Sequence, residues 1–131
     1  MASENVEIFQ RASEALRADD VDAFLTDVAP DVEWHSLILE IEGVFHGHDG
    51  VREWWTALRA VFPDWHPTIL DAEDLGDHVL AQGRGMARGP ASGKQVDDDF
   101  WQIARFRDGK VAWYQAARSR SDALEAAGLE E

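Results

Sequence analysis

Val6, Phe9, Ser13 and Leu16 recur three or four positions apart near the start of the chain, with Ile8, Ala12 and Ala15 widening the stripe. That spacing holds one side of a helix apolar and predicts a helix over 3–17, with Ser3 as its N-cap. Asp19-Asp20 breaks it. Asp20 then caps a short second helix carrying Val21, Phe24, Leu25 and Val28, which Pro30 stops. Alternation follows: Val32, Trp34 and Ser36 on one side and Glu33 and His35 on the other, a strand pattern. Residues 37–45 form an apolar connection whose pattern fits no element. After His46-Gly47-His48-Asp49-Gly50, with Asp49 as N-cap, the residues Val51, Trp54, Trp55, Leu58, Val61 and Phe62 fall at i, i+3, i+4, i+7, i+10 and i+11. This is the clearest amphipathic helix in the chain, closed by Pro63.

The remainder reads as a strand meander. Strands are predicted over 65–72, 78–88, 95–106 and 111–119, separated by Leu75-Gly76-Asp77, by a loop over 89–93 and by the hairpin turn Arg107-Asp108-Gly109-Lys110. Leu124, Ala126 and Ala127 suggest a terminal helical turn ended by Gly128. Helices collected on one side of a curved antiparallel sheet make an α+β fold. A bent sheet around a long helix leaves a conical cavity, the kind of concave site that small ligands prefer.

Composition narrows the picture. The 131 residues suggest one domain over 1–131. Without cysteine there are no disulfides, thiolate metal sites or thiol nucleophiles, and a reducing cytoplasm is the expected compartment. Twelve basic against 26 acidic residues give a net charge of −14, which repels nucleic-acid backbones and anionic membrane surfaces. No apolar run approaches the roughly 18 residues of a membrane span. Met1-Ala2-Ser3-Glu4-Asn5 carries neither a basic region nor an apolar stretch, so no signal peptide is expected. Six tryptophans, Trp34, Trp54, Trp55, Trp65, Trp101 and Trp113, exceed what so small a core requires. A cavity or a subunit interface would use the excess.

The element order, together with Phe45-His46-Gly47-His48-Asp49-Gly50-Val51-Arg52-Glu53-Trp54-Trp55, Phe106-Arg107-Asp108-Gly109-Lys110-Val111 and Ala123-Leu124-Glu125-Ala126-Ala127-Gly128-Leu129, resembles the SnoaL-like family of the NTF2-like superfamily. The similarity spans nearly the whole chain. It implies an NTF2-like (cystatin-like) cone and a cavity for a small apolar ligand, with no metal and no organic cofactor. The superfamily holds polyketide cyclases, ketosteroid isomerases, limonene epoxide hydrolases, dehydratases and proteins that only bind, so fold alone does not choose among them. At the positions matching the isomerase acid, general base and phenol stand Gln102, Ser36 and Ala12. Where SnoaL-type cyclases carry an acid/base Asp, the last strand runs into Arg118-Ser119-Arg120, with Asp122 out of register.

The same resemblance sets the strand faces. With Gln102 inward, Phe100 and Asp98 follow, and Asp99, Trp101 and Ile103 face out. Ala112, Tyr114, Ala116 and Arg118 form the inner face of the last strand. A pocket floor of Phe100, Gln102 and Tyr114 results, unless Gln102 and Tyr114 merely satisfy each other in a solid core. Ser36 and Trp34 are expected in the pocket, with one of Trp54 and Trp55 over it and the other against the sheet. Asp97-Asp98-Asp99 is either a solvated strand start or places Asp98 as a general base, with Arg84 as counter-charge. That pair resembles the one with which limonene epoxide hydrolases orient a water. His66 and His35 are alternative bases near neutral pH. His46-Gly47-His48 fits capping and loop packing better than metal ligation. The small face Ala81, Gly83, Gly85 and Ala87 either admits another backbone or leaves volume for a ligand.

Two functions are carried forward. One is a cofactor-independent isomerase, cyclase or hydrolase acting by proton transfer on an apolar carbonyl-bearing or polycyclic compound. In it Tyr114, Gln102 and Arg84 polarise an oxygen and Asp98 or a histidine moves the proton. The other is a non-catalytic ligand-binding or dimerising domain. A homodimer is expected through an outer sheet face carrying Trp101, Ile103 and Trp113.

Overall fold

A computed structural model describes residues 4–38, 41–88 and 95–129 of the chain. Helix α1 (Glu4–Arg17) buries Val6, Ile8, Phe9, Ala12 and Leu16, with Glu4 and Glu7 in the first turn and Arg17 in the last, matching the helix dipole. The expected cap Ser3 lies outside the described residues. The helix ends with Asp19 in the left-handed region at φ 58°, where Asp19 N bonds Leu16 O and Asp20 N bonds Ala15 O. Helix α2 (Val21–Leu25) is capped by the Asp20 carboxylate, which accepts from Ala23 N at 3.1 Å. It stops before Val28, short of the predicted end. The backbone there belongs to a ladder instead: Val111 N bonds Asp27 O, and Val28 pairs with Val111. Strand β1 (Val28–Ile38) thus contains Pro30, which sits inside the register shift between Val28 and Glu33 where its missing N–H costs no ladder bond.

The unassigned apolar connection includes a strand, β2 (Ile41–His46), paired antiparallel with β1. Helix α3 (Gly47–Val61) buries Val51, Trp54, Trp55 and Leu58 and has His46, not Asp49, at its N-cap; Asp49 lies in the first turn. Strands β3 (His66–Asp74), β4 (His78–Arg88), β5 (Gln95–Arg107) and β6 (Lys110–Ala117) follow. Asp108 and Gly109, at φ 53° and 75°, make the β5–β6 turn that the Asp-Gly pair announces. Helix α4 (Arg120–Ala126) is capped by Ser119 and ends with Gly128 at φ 73°; Gly128 N bonds Glu125 O and Leu129 N bonds Leu124 O.

The six strands form one sheet in the order β2-β1-β6-β5-β4-β3. The expectation of a wholly antiparallel sheet is corrected at one place, since β1 runs parallel to β6. The reason is topological: α3 carries the chain from β2 to the far edge, and the meander β3 to β6 then returns to β1 from the other side. Register shifts at Val28/Glu33, Ile69/Asp71 and Arg105/Phe106 bend the sheet. Its inner face packs on α1, α2 and α3 around Val28, Val32, Val51, Leu58, Val79 and Ala104, all fully buried. On the outer face, α4 covers Leu80 and Ile103 with Ala123 and Leu124, while Trp101 and Trp113 pack half-buried beside them.

Candidate functional site

The inner face leaves an apolar cavity that opens to solvent. Helix α1 contributes Phe9, Ala12, Ser13 and Leu16; α2 contributes Phe24; α3 contributes Trp54 and Trp55. The sheet adds Trp34, Pro67, Phe100, Gln102, Val111 and Tyr114, and Trp65 comes from just before β3. The four indoles are there for packing reasons that can be traced. Trp34 stacks on Tyr114 with ring centroids 3.8 Å apart and planes 10° apart, meets Phe24 edge-on at 5.5 Å, and lies 5.0 Å from Trp54. The far edge of the Trp65 ring packs against β4 at Gly85. A Cβ on Gly85 would come within 2.0 Å of its Cη2, so only glycine permits that position. Gly83 likewise makes room for Phe100 and for the Gln102 amide. The small face of β4 therefore houses side chains of its neighbours.

Trp54 and Trp55 are both buried and both line the cavity, which corrects the division of one over the pocket and one against the sheet. About 100° apart on α3, they find different anchors. Trp54 Nε1 donates to Ser36 Oγ at 2.8 Å, and Trp55 Nε1 donates to Asp19 Oδ1 at 2.7 Å. Arg59 binds the same Asp19 carboxylate at 3.3 Å, donates to Trp65 O at 3.2 Å and stands over the Trp55 ring. Ser36 thus supports Trp54 and is not itself part of the lining. Tyr114 donates its O–H to Gln102 Oε1 at 2.8 Å. Burial without a neighbouring charge pushes the Tyr114 phenol well above its ordinary value, so it stays neutral. By contrast, the Trp34 indole N–H is buried with no hydrogen-bond partner. Such an orphan donor costs about 1–3 kcal/mol in an empty site.

The expected charged residues do not gather here. Arg84 lies on the outer face, opposite Gly83 and Gly85, where Nε and Nη2 grip Asp97 at 2.5 and 2.8 Å. Its guanidinium holds the Asp97 carboxyl below the usual range. The supposed partner Asp98 pairs in register with Gly85 and is solvent-exposed, outside the lining. Strand parity is the reason: Arg84 is opposite Asp99, and odd positions of β5 face away from Gln102. His66 also points away from the cavity, because Trp65 and Pro67 take the inner side; its Nδ1–H donates to Asp64 O at 3.0 Å. Arg118 is exposed, past the end of β6, where the chain leaves the sheet to be capped by Ser119. His48 donates from Nε2 to Val28 O at 2.8 Å, a packing role. Among the described residues no three His, Asp or Glu side chains converge as metal ligands would.

Sequence reasoning missed Phe9, Ser13, Leu16, Phe24, Trp65, Pro67 and Val111 as wall residues. A helical stripe looks the same whether it faces a solid core or a void. Trp65 alone had a signal, since a Gly/Ala face on one strand calls for a large neighbour.

The family model for the SnoaL-like domain matches residues 9–114. No curated protein matches the chain. Among solved structures, TerC co-crystallised with polyporic acid is 23% identical, covering 94% of this chain and 97% of its own, at a TM-score of 0.80. An NTF2-like protein of unknown function from Burkholderia pseudomallei is 19% identical over 95% of this chain and 97% of its own, at 0.81. A protein of ketosteroid isomerase-like fold from Catenulispora acidiphila, in complex with trimethylamine, is 22% identical over 95% and 94%, at 0.77. Identities this low speak to the fold.

Proposed function

The chain belongs to the SnoaL-like domain family and has the NTF2-like fold, and from that premise we propose that it binds a small, apolar, uncharged molecule without turning it over. One observation carries this reading: among the described residues the cavity lining holds no carboxylate, imidazole, ammonium or guanidinium. Proton transfer needs a group that changes protonation near the working pH. The polar groups on hand are a hydroxyl, an amide, indoles and a phenol whose proton is held firmly. At the positions of the isomerase machinery, Ala12 and Gln102 line the cavity and Ser36 is engaged by Trp54. Two solved structures of this fold were obtained with small molecules, polyporic acid and trimethylamine, which supports the binding of a small molecule.

The test uses 1-indanone in D2O. Binding predicts saturable, one-to-one quenching of tryptophan fluorescence and a raised melting temperature. It also predicts that deuterium enters the carbon next to the ketone no faster than in buffer. Failure to saturate would remove the binding reading. Exchange that is accelerated, and lost in Tyr114→Phe, would establish the catalytic one.

We propose further that two copies associate through the outer sheet face in the cytoplasm. What supports the contact is the half-buried Trp113, with the His35 ring 6.0 Å away. His35 Nε2 is buried and, although 3.4 Å from Glu33 Oε2, makes no hydrogen bond.

A further inference from the structure

We propose that Arg59 clasps the mouth of the cavity, so that a ligand enters and leaves only when its contacts to Asp19 and to the Trp65 carbonyl open. The proposal concerns exchange at the cavity described above, and what it says of the ligand rests on the binding reading.

Of the wall residues only Ser13 and Phe100 are half-exposed, and the others are buried. The cavity therefore meets solvent at the end where Ser13 and Phe100 stand. On the helical flank, Leu16 follows Ser13 by one turn of α1, and Asp19 N bonds Leu16 O. On the sheet flank, Phe100 packs against Gly83 and the Trp65 ring against Gly85, two residues further along β4. Arg59 joins these two flanks. Its Nη2 donates to Asp19 Oδ2 at 3.3 Å, and its Nη1 donates to Trp65 O at 3.2 Å. Its guanidinium carbon stands 5.6 Å from the centre of the Trp55 ring, whose indole N–H donates to the other oxygen of Asp19 at 2.7 Å. One arginine thus fastens three pieces of the wall: the turn after α1, the Trp55 ring of α3 and the segment that carries Trp65.

The chemistry of this fastening suits a clasp. Leu16, Trp55 and Trp65 are held inward by apolar packing. What ties them across the rim is an ion pair whose side chains, Arg59 and Asp19, are 29% and 52% exposed. An ion pair this wet is weak, so it opens readily, and salt screens it. Asp19 sits at φ 58°, a conformation that asparagine shares with aspartate, so its place in the turn does not depend on its charge. Arg52, about 10 Å back along α3, binds Asp22 of α2 instead and supplies a control.

Stopped-flow tryptophan fluorescence follows 1-indanone in the parent, Arg59→Met, Asp19→Asn and Arg52→Met. Methionine keeps a stem over Trp55 and loses both hydrogen bonds; asparagine keeps an acceptor for Trp55 and loses the charge. If opening limits exchange, association and dissociation quicken together, about tenfold in Arg59→Met and about threefold in Asp19→Asn, while Kd stays within about twofold. Arg52→Met should match the parent. Because 1-indanone is neutral, added salt should quicken both rates in the parent and not in Arg59→Met. Faster dissociation with unchanged association makes Arg59 part of the binding surface and overturns the clasp. Equal acceleration in Arg52→Met overturns it too, since α2 and α3 would then be loosening as a whole. Solvent exchange of the Trp55 indole proton reads opening without any ligand, and it should be about tenfold faster in Arg59→Met. Where Arg59→Met folds poorly, Asp19→Asn carries the same comparison. An indole exchange rate that ignores both substitutions overturns the proposal. If 1-indanone fails to bind the parent, the binding reading falls, and the indole exchange by itself decides whether the clasp opens.

Discussion

At the scale of the residue, Tyr114 is the chain's one tyrosine, so its ionisation can be followed alone in the ultraviolet. Burial raises its folded pKa above the unfolded value near 10. Above that pH the unfolded chain gives up a proton that the folded chain keeps. The folded protein then binds more protons than the unfolded one, and stability must fall as pH rises. Below pH about 10 the contribution is fully present. The expected outcome is no tyrosinate absorbance in the native protein at pH 10–11, followed by its appearance together with loss of near-ultraviolet dichroism. An ordinary titration curve in a protein that remains folded would contradict the burial. The Tyr114–Gln102 contact was legible from strand alternation once the family resemblance had set the inner face. The orphan state of Trp34 was not, because whether a buried donor meets an acceptor depends on residues brought together from distant parts of the chain.

At the scale of the element, β4 is shaped by its neighbours. Gly85 gives way to the Trp65 indole, and the sheet behind it leaves the ring one direction of retreat, into the cavity. Gly85→Ala should therefore destabilise by about 1–3 kcal/mol, the usual cost of overpacking, and weaken 1-indanone binding. Adding Trp65→Leu to Gly85→Ala should recover part of the stability, a coupling of about 1 kcal/mol between residues in contact. Urea denaturation of the four proteins of the cycle measures it, and additive losses would mean that the ring does not depend on the glycine. Periodicity located most elements to within a few residues. It failed at α2 and β2, where competing ladders decide: Val28 looks helical until Val111 offers it a strand to join.

At the scale of the whole molecule, the expected dimer face proves smaller than the sequence suggested. Helix α4 lies over Leu80 and Ile103, so the outer face keeps only part of its apolar surface, around Trp113 and Trp101. Sedimentation should nonetheless give twice the chain mass at tens of micromolar. Trp113→Glu should return it to the monomer with the fold intact, since a carboxylate placed in an apolar contact is costly to bury. A monomer at every concentration would remove the proposed interface.

The sequence by itself determined the fold class, because hydrophobic period is a local property: α1, α3 and the four-strand meander are each written in their own spacing. It also determined the acidic surface, the absence of thiol chemistry and the tryptophan excess. The tertiary structure alone decided which charges meet. Arg84 and Asp98 looked like partners across a cleft, yet a register offset of one residue sends Arg84 to the opposite face and to Asp97. Side chains on a strand alternate, so one step of register exchanges inside for outside. That register is fixed by the packing of the whole sheet and not by the residues near Arg84. The empty interior has the same origin. Four indoles and a glycine face are compatible with a solid core or with a cavity, and the bend of the sheet around α1 and α3 left space between them.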